Sequence, residues 1–258
     1  MLEDLTAASL NAAGWTLVER AVDWASNLAP QVTLQSPLPG EKFRRSDPLS
    51  VTATVTDFDG AVLRVDYFAN GVPIGTTETS PHVLVWQPAE PGVYDLTARA
   101  HDDQESSSLS ESVRIEVLRP FDFWSQQYFT APQLQDPLVG GNQGDPDYDN
   151  IGNLLEYAFG FSPWESNSAP TEASPHETGG QLFASFLYRV SEHAEVEITP
   201  ELAKTLQGPW QTGPEHMTVE PLMAGDGYAE MRALAKEPLS TLNGSAFFRL
   251  RASLPQEP

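Results

Sequence analysis

The sequence contains no cysteine, few basic residues and no long apolar run. Without cysteine the chain forms neither disulfides nor thiolate metal sites, although this does not fix the compartment. Only 14 Lys and Arg stand against 36 Asp and Glu, so the formal net charge is −22 at pH 7. Such a charge opposes binding to nucleic acid and to anionic membranes. No apolar run approaches the roughly 18–20 residues of a membrane span, and the acidic N-terminus lacks the pattern of a signal peptide.

Known catalytic signatures are also missing. The sequence has no Gly-x-Ser-x-Gly elbow, no Gly-rich phosphate-binding loop and no His-Glu-x-x-His motif. The histidines have no metal-ligand spacing: His82, His101, His176, His193 and His216. The sequence does not exclude a pair of carboxylates for glycoside hydrolysis, because acids are abundant and a sequence does not give their separation. We expect a chain that is not an enzyme.

Residues 145–156 have the spacing of a twelve-residue calcium-binding loop. In such a loop, side chains at positions 1, 3, 5 and 9, a carbonyl at position 7 and a bidentate Glu at position 12 surround the ion. Calcium takes six to eight oxygens at roughly 2.3–2.6 Å. An apolar helical pattern follows the loop directly. The predicted ligands of Ca²⁺ are Asp145, Asp147, Asp149, the Ile151 carbonyl, Asn153 and Glu156.

Position 6 of this loop departs from the usual pattern. It is commonly Gly, because the chain turns sharply there, and here it is Asn150. Asn tolerates a left-handed backbone better than most residues do. The alternative is a plain acidic turn, since Asp, Asn and Gly also cluster in turns. Five ligand-type side chains in register favour the calcium interpretation.

The rest of the sequence predicts a mainly β chain. Residues 5–27 have a wide apolar helical stripe, and residues 1–30 are expected to be an N-terminal helix that docks on a partner surface or ends an upstream domain. Residues 31–118 alternate between short strands and turns, which is typical of an antiparallel sandwich. The predicted strands there are Val32–Gln35, Leu49–Thr56, Val62–Ala69, Val72–Thr77, His82–Trp86, Gly92–Ala100 and Ser112–Leu118.

Three runs in this region carry a family resemblance: Val-Thr-Ala-Thr-Val-Thr-Asp-Phe-Asp-Gly, Val-Asp-Tyr-Phe-Ala-Asn-Gly and Gly-Val-Tyr-Asp-Leu-Thr-Ala-Arg-Ala-His-Asp. Residues 31–118 resemble a bacterial immunoglobulin-like domain. That resemblance implies a spacer or adhesive module of a secreted or cell-surface protein, without chemistry of its own. In such a sandwich the loops after the second and sixth strands share one end. Asp57, Asp59, Asp102 and Asp103 there are either a second calcium site or solvated turn residues.

Residues 119–163 combine an aromatic helix, the calcium loop and an exit helix. Phe121, Trp124 and Tyr128 are spaced for one core-facing stripe. The loop resembles those of dockerins and thrombospondin type 3 repeats. With Asn-Leu-Leu-Glu-Tyr-Ala after it, the segment also resembles a C-terminal module of exported Verrucomicrobia proteins. Calcium is expected to fix the joint between the two β modules.

Residues 164–179 are rich in Ser, Pro and Glu and are expected to be a linker. Residues 180–258 are expected to form a small β-rich domain, with strands at Leu182–Val190, Ala194–Thr199, Met217–Pro221, Tyr228–Ala233 and Ala246–Ala252.

Two functions fit this reading. The first is a non-catalytic, calcium-stabilised structural or adhesive protein outside the bacterial cell, which binds protein partners or assembles with itself into a surface structure or filament. The alternative is an ancillary glycan-binding module of a secreted carbohydrate-active enzyme. In that case Trp86, Trp164 or Trp210 would stack on sugars.

Overall fold

The computed structural model describes residues 12–18, 27–225, 227–242 and 244–255. The chain divides into two compact units, Met1–Arg119 and Pro120–Pro258. Residues 12–18 are helical and Asn27 is not; the other residues of the predicted helix 5–27 lie outside the described part. No helix among the described residues is both long and apolar enough to cross a membrane.

The strands of the first unit form two sheets. One sheet has the order β1-β3-β6, and the other has the order β2-β9-β7-β4-β5 with β8 paired to β7. Seven strands match the predicted ones within two residues, whereas β2 and β8 were not predicted. The strands are β1 (Gln31–Ser36), β2 (Lys42–Arg44), β3 (Leu49–Thr56), β4 (Val62–Ala69), β5 (Val72–Thr77), β6 (His82–Trp86), β7 (Gly92–Asp102), β8 (Ser107–Leu109) and β9 (Val113–Leu118).

One apolar core lies between these two sheets. Alternate residues of β3 point inward, so Leu49, Val51 and Ala53 are buried. They pack with residues of the facing sheet, among them Val65 and Tyr67, which are fully buried. The two-residue periodicity of the sequence therefore places a sandwich core where it was expected.

The predicted hairpin at Asn70-Gly71 is confirmed. Ala69 pairs with Val72 across β4 and β5, so the turn has two residues. Their φ angles are 51° and 77°. Both angles are left-handed, as a type I′ turn requires.

The second unit combines three short helices with six strands. The strands form a four-stranded sheet, β10-β11-β14-β13, and a pair, β12-β15. Five of the strands overlap the predicted ones, and the helix predicted after the loop 145–156 is present as α3. The elements are α1 (Pro120–Tyr128), α2 (Ala131–Leu134), α3 (Asn153–Phe159), β10 (Thr171–Thr178), β11 (Gln181–Ser191), β12 (Glu197–Ala203), β13 (Met217–Gly225), β14 (Tyr228–Pro238) and β15 (Phe247–Ser253).

The segment 164–179, expected to be a linker, differs in the structure. Thr171–Thr178 forms the edge strand β10, which pairs along its whole length with β11. Most of its side chains are exposed, so its composition is that of a polar linker. Pro175 is compatible with this position because only one side of an edge strand must donate to a ladder. Because this strand is held by backbone pairing, its side chains show no alternation from which a strand could be predicted.

Helix α3 packs on the strands of its own unit. Ala158 and Phe159 are buried beside Ile198 and Leu250 of β12 and β15. The predicted aromatic stripe of α1 also faces a core: Phe121 lies 5.4 Å, ring centroid to centroid, from Tyr157 of α3. Helix α3 is thus held between α1 and the C-terminal strands of the second unit.

Candidate metal centre

Three aspartates of the loop converge. Asp145, Asp147 and Asp149 each offer a carboxylate oxygen, and these oxygens lie within 4.8 Å of one another. In the part of the chain that the structure describes, no other trio of His, Asp or Glu side chains gathers so closely. All three are partly buried. Like charges at this separation repel each other unless a cation lies between them.

The backbone of the loop curls around these carboxylates. The Asn150 N–H donates to Asp145 Oδ2 at 2.9 Å, and the Ile151 N–H donates to Asp149 Oδ1 at 2.7 Å. Tyr148 and Asn150 have φ angles of 63° and 70°. Asn150 therefore takes the left-handed conformation that Gly usually supplies at this position, as expected for an Asn.

Glu156, the last loop residue, is fully buried on α3. Neither of its carboxylate oxygens has a hydrogen-bond partner. Burial, followed by the charges of Asp147, Asp149 and Asp145, raises the pKa of Glu156 to about 8. Burial also raises the pKa of Asp147, with the neighbouring aspartates adding to the effect. A buried carboxylate without partners costs several kcal/mol, so these groups need a proton or a cation.

Asn153 is fully buried as well, but its amide group has a divided role. Its Nδ2 donates to the Val139 and Gly141 carbonyls at 2.7 and 2.8 Å. Its Oδ1, the predicted ligand atom, is buried without a partner. The side chain thus attaches the loop to the preceding Gly-rich segment, residues 139–144, and leaves its own oxygen available to an ion.

Gly144 belongs to that segment and shows why it is rich in glycine. A Cβ at Gly144 would lie 2.5 Å from the Val139 carbonyl oxygen and 2.8 Å from Asn153 Nδ2. The segment can therefore close on Asn153 only where side chains are missing. Among the six predicted ligands, the three aspartates lie together, and Glu156, Asn153 and Ile151 are buried. The supporting segment was not among the predicted parts of the site.

Asn167 is a further contact that the sequence did not predict. Its backbone N–H donates to Asp149 Oδ2 at 2.6 Å. The segment just before β10 therefore closes on the loop. A backbone donor carries no residue-type signal, so only the fold reveals this contact.

The chemistry of the donor set fits a hard cation. Every polar atom left without a partner in the loop is a carboxylate or amide oxygen. Asp, Asn and Glu oxygens with one bidentate carboxylate are the ligands of Ca²⁺, whereas Mg²⁺ keeps several waters and fewer protein ligands. No salt bridge reaches these carboxylates within the described ranges, so no basic side chain takes the place of an ion.

The tryptophans singled out from the sequence are mostly covered. Trp86 packs on the core of the sandwich and meets Tyr94 edge-on. The Trp210 ring lies under the Arg249 guanidinium, 4.2 Å from ring centroid to Cζ. Trp164 is 43% exposed, but its indole N–H donates to the Tyr128 carbonyl. Trp164 is the most exposed of the three, and Phe129 lies 5.5 Å from it, ring centroid to centroid.

One groove of the second unit has a volume of about 460 Å³. It lies beside β12 and β13, and Lys236 is its sole ionisable lining residue. A second groove, of about 320 Å³, is lined by apolar and small polar residues without any ionisable group. General acid–base chemistry needs at least one suitably placed titratable group and usually a pair. Neither groove offers a pair.

Residues 30–98 match a family model described as a bacterial Ig domain, which covers most of the first unit. No curated protein shows significant similarity to the chain. Among solved structures, fibronectin(III)-like modules of CbhA from Clostridium thermocellum align at 25% identity with a TM-score of 0.32. That alignment covers 34% of this chain and 94% of the module chain.

Two further solved structures align over more of the chain. Carbohydrate-binding modules of a β-sandwich superfamily show 10% identity and a TM-score of 0.29, covering 88% of this chain and 97% of theirs. A Bacteroides ovatus protein, SGBP-B, was solved with a mixed-linkage heptasaccharide and shows 15% identity and a TM-score of 0.28. The alignment covers 80% of this chain and 40% of SGBP-B, so the chain spans less than half of that protein. These TM-scores are too low to assign a function.

Proposed function

We propose that the chain is a non-catalytic, calcium-stabilised structural or adhesive component outside the bacterial cell. Calcium would bind in the loop 145–156 and complete the fold of the second unit. One observation carries this proposal: Glu156 is fully buried with both oxygens unpartnered, next to three converging aspartates. A plain acidic turn would expose its carboxylates to water instead of burying one of them.

The role of the ion is to order the second unit. Its ligands come from a loop that is attached to three other segments: the Gly-rich segment through Asn153, the segment just before β10 through Asp149, and the C-terminal strands through α3. An ion that neutralises the loop therefore stabilises all three attachments at once. Single loops of this kind bind calcium weakly, roughly at 10⁻⁴–10⁻³ M, as extracellular modules do.

The proposed absence of catalysis rests on what the grooves contain. The linings of the two grooves described above lack paired titratable groups, and the Ig-like unit is a packed sandwich with short loops. A third groove, of about 220 Å³, is lined by Arg189, Tyr228 and Glu230, but there the Arg189 guanidinium lies over the Tyr228 ring, 5.1 Å from its centroid. An immunoglobulin-like fold hosts many unrelated functions, so the activity has to be argued from this chain's own surfaces. Contacts with other proteins are therefore the activity that this fold supports best.

Edge strands offer surfaces for such contacts. Strand β6 ends the three-stranded sheet, and its Val83 and Val85 are 40% and 66% exposed. Strand β13 ends the sheet of the second unit, with Leu222 and Met223 exposed at 43% and 67%. Unpaired edges with apolar side chains can pair with another chain. We infer that the occupant is a second copy of this chain.

Calcium is expected to protect the second unit from proteolysis. In excess chelator, cleavage between residues 131 and 170 should be at least several-fold faster than in millimolar calcium, because the loop opens when its carboxylates repel each other. The measurement is limited proteolysis of the full chain, with cleavage sites mapped by mass spectrometry. Sites within residues 72–86 of the first unit, which span β5 and β6, serve as the internal control. Equal cleavage rates between 131 and 170 in both buffers would contradict the proposal.

Self-assembly is expected to depend on the edge of β6. Light scattering of the full chain in calcium should show a mass that rises with concentration, and Val85→Lys should reduce this rise. The matched control is Val93→Lys, on β7, where the side chain is 55% exposed and the residue pairs with Glu116 of β9. A wild-type mass that stays monomeric at all concentrations would count against assembly. Together with retention on polysaccharide, it would favour the glycan-binding alternative.

A further inference from the structure

The buried side-chain polar atoms without partners fall into two groups in the described part of the chain. Four of the six belong to the loop 145–156: Asp147 Oδ2, Asn153 Oδ1 and both oxygens of Glu156. The other two are Asp57 Oδ2 and Asp102 Oδ2, in the first unit. Buried carboxylate oxygens without a partner, which characterise the loop 145–156, therefore occur at one further place among the described residues.

These two aspartates lie in loops that meet at one end of the sandwich. Asp57 follows β3, and Asp102 ends β7. The Asp103 N–H donates to the Ala61 carbonyl at 3.0 Å, and the Ala61 N–H donates to Asp103 Oδ1 at 3.0 Å. The two loops are thus fixed to each other by a reciprocal pair of hydrogen bonds.

Two carboxylates converge over Gly60. A Cβ at this residue would lie 2.8 Å from Asp103 Oδ1 and 3.1 Å from Asp57 Oδ2. Any side chain at residue 60 would therefore occupy the space between these oxygens. Glycine leaves that space open, at the point where two negatively charged groups approach.

Asp102 adds a buried carboxylate to the same loops. It is 2% exposed, and its Oδ1 accepts hydrogen bonds from the Gln104 and Ser106 N–H groups at 2.9 and 2.7 Å. These two bonds give Oδ1 a structural role, because it accepts from the backbone of the turn that follows. They leave Oδ2 buried without a partner, which a turn role alone does not explain.

No basic side chain offsets this charge. Asp57, Asp59, Asp102 and Asp103 form no salt bridge within residues 27–225. Asp59 Oδ2 instead accepts a hydrogen bond from the Leu28 N–H at 2.9 Å. Four carboxylates at one end of a small sandwich thus lack a counter-charge.

We propose that a second Ca²⁺ ion binds between the loops 57–61 and 102–106, with Asp57 and Asp103, which converge over Gly60, as its carboxylate ligands and the buried Asp102 carboxylate adding negative charge to the same loop. No three of these carboxylates come within 4.8 Å of one another, in contrast to Asp145, Asp147 and Asp149. Backbone carbonyls and water complete the oxygen shell, which Ca²⁺ accepts. The site is therefore weaker than the loop 145–156 and independent of it.

The test is the number of calcium ions bound by the full chain, measured by isothermal titration with Ca²⁺ alone. The wild-type chain is expected to bind two ions, and Asp57→Asn with Asp103→Asn is expected to bind one. Asparagine keeps the oxygen that accepts the Ala61 N–H, so the loop contact survives the substitution. Glu78→Gln, which changes one exposed carboxylate in the same unit, should leave two ions bound.

Glu156→Gln separates this inference from the proposed function. In that variant the second ion should remain, and calcium should slow hydrogen exchange in residues 57–61 and 102–106. If the double variant still binds two ions, or if calcium leaves exchange in those loops unchanged in Glu156→Gln, the second site does not exist. A wild-type chain that binds one ion, lost in the double variant but kept in Glu156→Gln, would overturn the proposed function and leave this inference standing.

Discussion

Chelation of calcium is expected to lower the unfolding temperature of the second unit by roughly 4–14 °C relative to 10 mM calcium. An ion that binds only the folded state stabilises it by RT ln(1 + [L]/Kd). With a dissociation constant near 10⁻⁴–10⁻³ M, this amounts to about 1.4–2.7 kcal/mol. A domain of this size shifts by roughly 3–5 °C per kcal/mol. Differential scanning calorimetry of the full chain measures the shift.

Magnesium provides the specificity control for this shift. At the same concentration it should stabilise the unit far less, because it keeps its waters and rarely uses a bidentate Glu. An unfolding temperature that is the same in chelator, calcium and magnesium would show that the loop holds no ion. A shift of equal size with both ions would point to screening of the net charge and not to a built site.

Replacing Glu156 with Gln is expected to change stability in opposite directions with and without calcium. In calcium the variant should be less stable than the wild-type chain, because it loses the bidentate ligand, and its affinity for calcium should fall at least tenfold. In chelator it should be more stable by about 1–3 kcal/mol, because a buried carboxylate without partners is replaced by a neutral group. Chemical denaturation in the two buffers measures both differences.

The pH dependence of stability in chelator is a second test of Glu156. The folded-state pKa of Glu156 is raised to about 8 from an ordinary value of 4.5. Between these values the folded state holds a proton that the unfolded state lacks, so stability falls as the pH rises from 4.5 through 8. Glu156→Gln should flatten that decline.

Glu165→Gln is the matched control, because it removes one exposed carboxylate from the same unit. Its free energy of unfolding should equal that of the wild-type chain in both buffers and across the pH range. If Glu156→Gln also tracks the wild-type chain, Glu156 neither binds an ion nor carries an unbalanced charge. That result would falsify the role assigned to the loop.

Much of the fold was readable because its signals are local. The period of two in Val51, Ala53 and Val55 predicted β3, and Asn70-Gly71 predicted the turn between β4 and β5. Strand β10 escaped prediction because its stability comes from backbone pairing with β11 while its side chains stay exposed. The short strands β2 and β8 escaped for a related reason, since three residues are too few to establish a period.

By itself the sequence determined the spacing of the oxygen ligands from Asp145 to Glu156 and the helix that begins beside them. Both depend on residues that are near one another along the chain. Tertiary structure decided that Glu156 is fully buried, that Asn153 binds the Gly-rich segment, and that Asp57 and Asp103 converge over Gly60. Burial and convergence arise from contacts between distant segments, and a carboxylate demands a cation only once those contacts have removed its water.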